Sequence, residues 1–170
     1  MENNNSNNHE LYIVSALVEN KPGVLFRVTN LFRARNFNIE SITVGTTEQQ
    51  DISRMTITTS SDEKTLVQLV KQLRKLIDVV EVKVLETNKT VYRELALIKM
   101  RAVDPTTRSE IMSYANIFRG NILDIGKETI TVEITGTPDK IDAFKNLVDQ
   151  YGITQLARTG VSALPRGAEL

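Results

Sequence analysis

LYIVSALVENKPGVLFRV, Leu11 to Val28, is the stretch from which the rest of the chain can be read. Leu11–Val18 is an apolar run of strand length, and Glu19-Asn-Lys-Pro-Gly23 is rich in turn formers. Helical spacing begins at once, with Val24, Leu25, Val28, Leu31 and Phe32 recurring on one face. Pro22 suits the first helical position, because its missing N–H would lack a partner there anyway. The amides of Gly23, Val24 and Leu25 then have no intrahelical acceptor. They sit at the positive end of the helix dipole, which favours a carboxylate or other small anion. Gly23 has no Cβ to keep a ligand from the backbone. Asn20 offers a carbonyl oxygen and an amide, which suits a group carrying both ammonium and carboxylate. Glycine and proline before a helix are also ordinary capping residues, so the turn alone leaves both readings open.

Outward from this stretch, Arg35 closes the first helix and Asn36 is placed to take a left-handed conformation. Asn38–Val44 and Ile52–Thr59 read as strands joined by a polar loop. Ser60 and Glu63 have capping-box spacing, and Leu66, Leu69, Val70 and Leu73 mark a second helix before the strand Val79–Leu85. After the polar break 87–90 the order repeats. Val91–Val103 is a strand, Asp104-Pro105 opens a helix that Gly120 ends, and 121–125 with 129–135 form a hairpin. Thr137-Pro138 caps a last helix, Gly152 closes it, and Ile153–Val161 is a final strand. Two successive β-α-β-β-α-β units imply an α+β chain of two tandem ferredoxin-like domains, expected at residues 11–86 and 91–165 behind a disordered tail, 1–10. In the second unit Ile130, Val132 and Ile134 alternate with polar residues, a strand wet on one face. In the first, Leu11, Ile13 and Leu17 make the face opposite Val14, Ala16 and Val18 apolar as well. Another sheet, a domain or a second chain must cover it, and a homodimer with the N-terminal domains in contact is expected.

Composition narrows function. The 21 basic residues balance the 21 acidic ones, and aromatics are 5% of the chain. The strands that would carry stacking aromatics in an RNA-recognition sheet have none, which argues against nucleic acid. There is no cysteine, so no disulfide, thiolate metal site or cysteine nucleophile. No run approaches the roughly 20 apolar residues of a membrane span, and the N-terminus lacks the features of a secretory signal, so a cytoplasmic protein is expected. The single histidine, His9, lies in the tail. Glu40, Asp51, Glu94, Asp104 and Asp124 are scattered, and no catalytic or metal-binding constellation emerges. Arg27, Arg33 and Arg35 read as the solvated side of the first helix.

LVENKPGVLFRVTNLFRARNFNIESITVG, Leu17 to Gly45, resembles the ACT-domain signature of the small regulatory subunit family of acetohydroxyacid synthase (acetolactate synthase). SRMTI (Ser53–Ile57), KQLRKLIDVVEV (Lys71–Val82), VYRELALIKM (Val91–Met100), IFRGNILDI (Ile117–Ile125) and ARTGVSALPRG (Ala157–Gly167) are similar to the same family. The resemblance implies an ACT domain first and a non-catalytic chain that binds no cofactor itself. It implies a homodimer through ACT domains and a catalytic large subunit that carries thiamine diphosphate, FAD and Mg²⁺. That partner would be activated and made sensitive to feedback by branched-chain amino acids, usually valine. The implied effector site combines Asn20, Gly23, Val24 and Leu25 of one chain with Asn38 and Ile39 of the other. Asn36 stands where the family often has glycine, and Phe26 where it often has a smaller residue. A stand-alone amino-acid-sensing ACT protein without a catalytic partner is the alternative.

Overall fold

The computed structural model describes residues 10–167, Glu10 by its backbone alone, so His9 and the expected tail lie outside the described residues. The chain divides into two compact units, one of residues to Val91 joined by those from Val161 onward, the other Tyr92–Gly160.

In the first unit β1 (Glu10–Glu19), α1 (Val24–Ala34), β2 (Ser41–Thr46), β3 (Ile52–Ser61), α2 (Glu63–Leu73) and β4 (Val79–Leu85) follow in the expected order. The sheet runs β2-β3-β1-β4, antiparallel throughout. Alternation puts Val14, Ala16, Val18, Met55, Ile57 and Val82 on one face, where Val24, Val28, Phe32, Leu66, Leu69 and Leu73 of the helices close over them. Leu25, expected among the inward residues, is 45% exposed.

The opposite face differs from expectation. Ile13 is buried within this single chain, and so are Ser15, Thr56 and Thr58. Ser41 Oγ and Thr58 Oγ1 share a hydrogen bond of 2.7 Å, and Arg54 donates to Ser15 Oγ at 2.9 Å. The threonines of β3 therefore turn a face that looked apolar along β1 into a hydrogen-bonded one. The C-terminal segment belongs to this unit: the Val161 amide lies 3.5 Å from Ser41 Oγ, Arg166 N–H donates to Lys89 C=O at 2.7 Å, and Val161 and Ala163 are buried. An uncovered apolar face is thus no longer the argument for a second chain.

The second unit is built from β5 (Thr90–Arg101), α3 (Pro105–Ile117), β6 (Asn121–Ile125), β7 (Thr129–Gly136), α4 (Pro138–Val148) and β8 (Ile153–Arg158); β9 (Ser162–Pro165) is the last strand among the described residues. Its strand order, β6-β7-β5-β8, repeats that of the first unit. The repeat extends to the irregularities. Register slips between Leu17 and Val18 against β4, and between Lys99 and Met100 against β8. Ile130, Val132 and Ile134 are fully buried with Ile98, Ile111, Ile141 and Phe144, as the alternation predicts.

Helix ends show where local signals compete. Asn36 takes φ 56°, with its amide on Arg33 C=O at 3.1 Å and Phe37 N–H on Phe32 C=O at 2.9 Å. This is a Schellman cap with asparagine in the left-handed position. The second unit repeats the motif, but the left-handed residue is Arg119 (φ 53°), not Gly120 as expected. A Cβ on Gly120 would stand 2.3 Å from Ile134 Cδ1 and 2.8 Å from Glu133 O. Glycine there is needed for close approach, so arginine carries the strained φ. At α2 the cap is Asp62, which accepts from Thr65 N–H at 2.8 Å, rather than Ser60. Ser60 and Ser61 are still in β3, paired with Leu11 and Glu10. Asp104 and Pro105 open α3 as expected, with Asp104 accepting from Thr107 N–H at 2.9 Å.

Candidate effector half-site

The turn between β1 and α1 is tighter than its sequence suggests. The helix starts at Val24, and Pro22 is not its first residue. Lys21-Pro22-Gly23-Val24 forms a turn closed by Val24 N–H on Lys21 C=O at 3.4 Å, with Gly23 at φ 86°, ψ −11°. These are the features of a type II turn, with proline at its second position and glycine at the third, where φ must be positive. The Val24 amide is therefore engaged and its side chain buried in the core. The first helical bond is Arg27 N–H to Gly23 C=O at 3.0 Å. Leu25 and Phe26 N–H precede it, and they are the amides at the helix mouth that a carboxylate could reach. No acidic side chain occupies the first turn of α1.

Arg27 reinforces that mouth. Side chains on a helix lean toward its N-terminus, and an ideal Cβ on Gly23 would lie 3.4 Å from Arg27 Nη1. The other edge of the guanidinium grips Asp78, Nε to Oδ2 at 2.5 Å and Nη2 to Oδ1 at 2.8 Å. Asp78 is 6% exposed. The hydrogen bond from Arg27 holds its carboxyl below the usual range, against the opposing effect of burial. The same bond raises Arg27. Sequence reading assigned Arg27 to the solvated side. Its position one turn after Gly23 was the available signal; its partner, 51 residues away, had none.

Asn20 does not stand free beside the turn. Its backbone amide donates to Asp51 C=O at 2.7 Å and its side-chain amide to Gln50 C=O at 3.0 Å, tying the turn to the loop between β2 and β3. The side-chain oxygen is what remains to accept from a ligand ammonium. Leu25 (45%), Phe26 (70%) and Val44 (43%) are exposed apolar groups.

Asn38 and Ile39 lie before β2, not within it. Asn38 C=O accepts from Thr59 Oγ1 at 2.6 Å, and its side-chain amide donates to Glu40 Oε1 at 2.6 Å. Ile39 packs half-buried against the core. Glu19, next to Asn20, pairs with Ile52 at one end of β3, whereas Asn38 bonds Thr59 near the other end. At about 3.3 Å per residue that is roughly 20 Å. Within one chain the two groups of predicted residues are not brought together.

No group of three or more His, Cys, Asp or Glu side chains able to hold a metal occurs among the described residues. Two β-α-β-β-α-β units in tandem, each with one antiparallel sheet of the same strand order, define the class: an α+β chain of two ferredoxin-like domains. Residues 14–81 match the family model described as AHAS small subunit-like ACT domain, and residues 93–167 that of the small subunit of acetolactate synthase. The chain is 53% identical over 159 residues to the probable acetolactate synthase small subunit of Methanothermobacter thermautotrophicus, covering 94% of this chain and 95% of the relative. It is 48% identical over 162 residues to the acetolactate synthase small subunit of Mycolicibacterium smegmatis, covering 95% of each. The crystal structure of the Thermotoga maritima small subunit superposes with a TM-score of 0.86 at 44% identity, covering 93% of this chain and 98% of that one. The chain belongs to the family of acetolactate synthase small subunits, the non-catalytic regulatory subunits of that enzyme.

Proposed function

We propose that the chain activates a catalytic acetolactate synthase large subunit and makes it sensitive to a branched-chain amino acid, valine first among them. Thiamine diphosphate, FAD and Mg²⁺ belong to the large subunit in this reading, the enzyme works in the cytoplasm, and this chain takes only the effector. The effector carboxylate lies at the Leu25 and Phe26 amides, facing the positive end of α1 and the near edge of Arg27. Its ammonium is held by the Asn20 side-chain oxygen and by Asn38 of a second chain. Its branched side chain lies among Leu25 and the second chain's Ile39.

The observation that carries the reading is the separation of the two half-sites along the edge strand β2, which ends the sheet. Antiparallel pairing of β2 with its copy across a two-fold axis joins the Asn38 end of one chain to the Asn20 end of the other. One dimer then completes two sites, and an edge that would otherwise invite non-specific pairing is covered. An effector bound across that seam favours one arrangement of the pair. A coupling of about 1–3 kcal/mol between effector and large subunit suffices for feedback control. Equilibrium dialysis with labelled valine, run with size-exclusion chromatography, tests the reading. A dimer that binds valine is expected; a monomer that binds valine with full affinity removes the shared site.

A further inference from the structure

The first unit carries a charge asymmetry that the neutral chain as a whole does not. From Val24 through Asn36, α1 and its cap hold Arg27, Arg33 and Arg35 and no carboxylate. From Asp62 to Lys75, α2 and its flanks hold Lys64, Lys71, Arg74 and Lys75, with Asp62 and Glu63 confined to the opening turn. The corresponding helices of the second unit are mixed, Arg108 with Glu110 in α3, and Asp139 and Asp142 with Lys140 and Lys145 in α4. A cleft of about 470 Å³ lies between the end of α1 and the last turns of α2, lined by Arg35, Phe37, Lys71, Arg74 and Lys75 and by no carboxylate. Among the described residues, Arg35, Lys71 and Lys75 form no ion pair.

The chain leaves this cleft through exposed apolar residues: Ile77, two residues after Lys75, is 93% exposed and Val80 62%. Ile77 is not on a loose loop: Leu76 N–H bonds Leu73 C=O and Val79 N–H bonds Leu76 C=O, each at 3.1 Å, on either side of it. A large aliphatic side chain held in water two residues along the chain from a cation-lined cleft gives the combination found at protein interfaces, an apolar anchor with charged neighbours. A small phosphate-bearing ligand fits the cleft poorly. Both helices present their C-terminal carbonyl ends here, whose partial charge is negative, and the cations are exposed side chains on long stems.

We propose that this surface, the cleft lined by Arg35, Lys71 and Lys75 together with Ile77 two residues beyond Lys75, docks an acidic segment with an apolar anchor on the catalytic large subunit. The proposal rests on the reading that such a subunit is the partner. The test uses the full chain and the large subunit of the same organism. The concentration of this chain that gives half-maximal activation is measured for wild type, for Lys71→Glu/Lys75→Glu and for Ile77→Ser, at low and moderate salt. All three changes are on exposed side chains, and unchanged thermal unfolding checks that the variants fold. The expected result is a midpoint raised about tenfold or more in both variants, with the salt dependence of the wild type reduced in the charge-reversed one. Midpoints equal to wild type overturn the docking surface while leaving the partnership standing. A wild-type chain that neither binds nor activates the large subunit overturns the functional reading, and the docking proposal with it. Loss of tripolyphosphate binding in the charge-reversed variant, at an unchanged midpoint, assigns the cleft to a small anion and overturns the proposal.

Discussion

Gly23 separates the two things the opening turn can do. Its φ of 86° is left-handed, and an added Cβ meets nothing closer than Arg27 Nη1 at 3.4 Å, an ordinary contact. Steric clash is therefore small, and the cost of a side chain is the backbone's: about 1–2 kcal/mol for alanine, much less for asparagine, which tolerates this conformation. Gly23→Ala should lower the unfolding temperature by several degrees, since roughly 1 kcal/mol moves a small domain about 4–8 °C. Gly23→Asn should leave it nearly unchanged. Effector binding should respond differently. Either side chain stands at the helix mouth, and Gly23→Asp adds a negative charge where a carboxylate is to sit. All three variants should weaken valine binding by about tenfold or more, some 1.4 kcal/mol at the least, with Asp worst. Differential scanning calorimetry and equilibrium dialysis on the same samples separate the two effects. If Gly23→Asn binds valine as wild type does, the glycine serves the turn alone and the ligand reasoning fails. If Gly23→Ala is as stable as wild type, the conformational argument fails.

Three further outcomes follow from the same structure. Gly120→Ala brings a methyl group to 2.3 Å from Ile134 Cδ1 and 2.8 Å from a backbone oxygen, so it should destabilise by about 2–3 kcal/mol in chemical denaturation. Phe32→Ala empties the centre of the first core, where Phe32 is 1% exposed, and should cost about 3–5 kcal/mol. Asp78 has its folded carboxyl lowered by Arg27, so the stability it adds is present above the unfolded value near 4 and fades as pH falls through the lowered one. Asp78→Asn should therefore be less stable than wild type at pH 7, with the gap narrowing in acid; a gap that widens on acidification contradicts the sign.

Much of the architecture was legible because period and punctuation agree with the final packing. Ile130, Val132 and Ile134 alternate as a half-buried strand should, and Asn36 follows α1 at the position a left-handed cap requires. The misreadings arise where a tertiary contact outbids a local signal. Ser60 has capping-box spacing, but pairing with β1 keeps it in the strand and hands the cap to Asp62. Gly120 offers the easy positive φ, but the packing of Ile134 claims its missing Cβ and moves the strain to Arg119. Pro22-Gly23 fits both a helix start and a type II turn, and only the Val24–Lys21 hydrogen bond selects the turn. The turn between β1 and α1 was legible as a place, since glycine, helix start and asparagine are all local. The Arg27–Asp78 clamp was not, because no periodicity links residues 51 apart.

Regulation of a catalytic partner in response to an amino acid is the proposal on which the rest depends. Acetolactate formation by the large subunit, measured with and without this chain and across valine, leucine and isoleucine, tests it directly. The rate should be higher with the chain present and should lose that gain on adding valine. A large subunit whose rate and valine response are the same with and without the chain would contradict it.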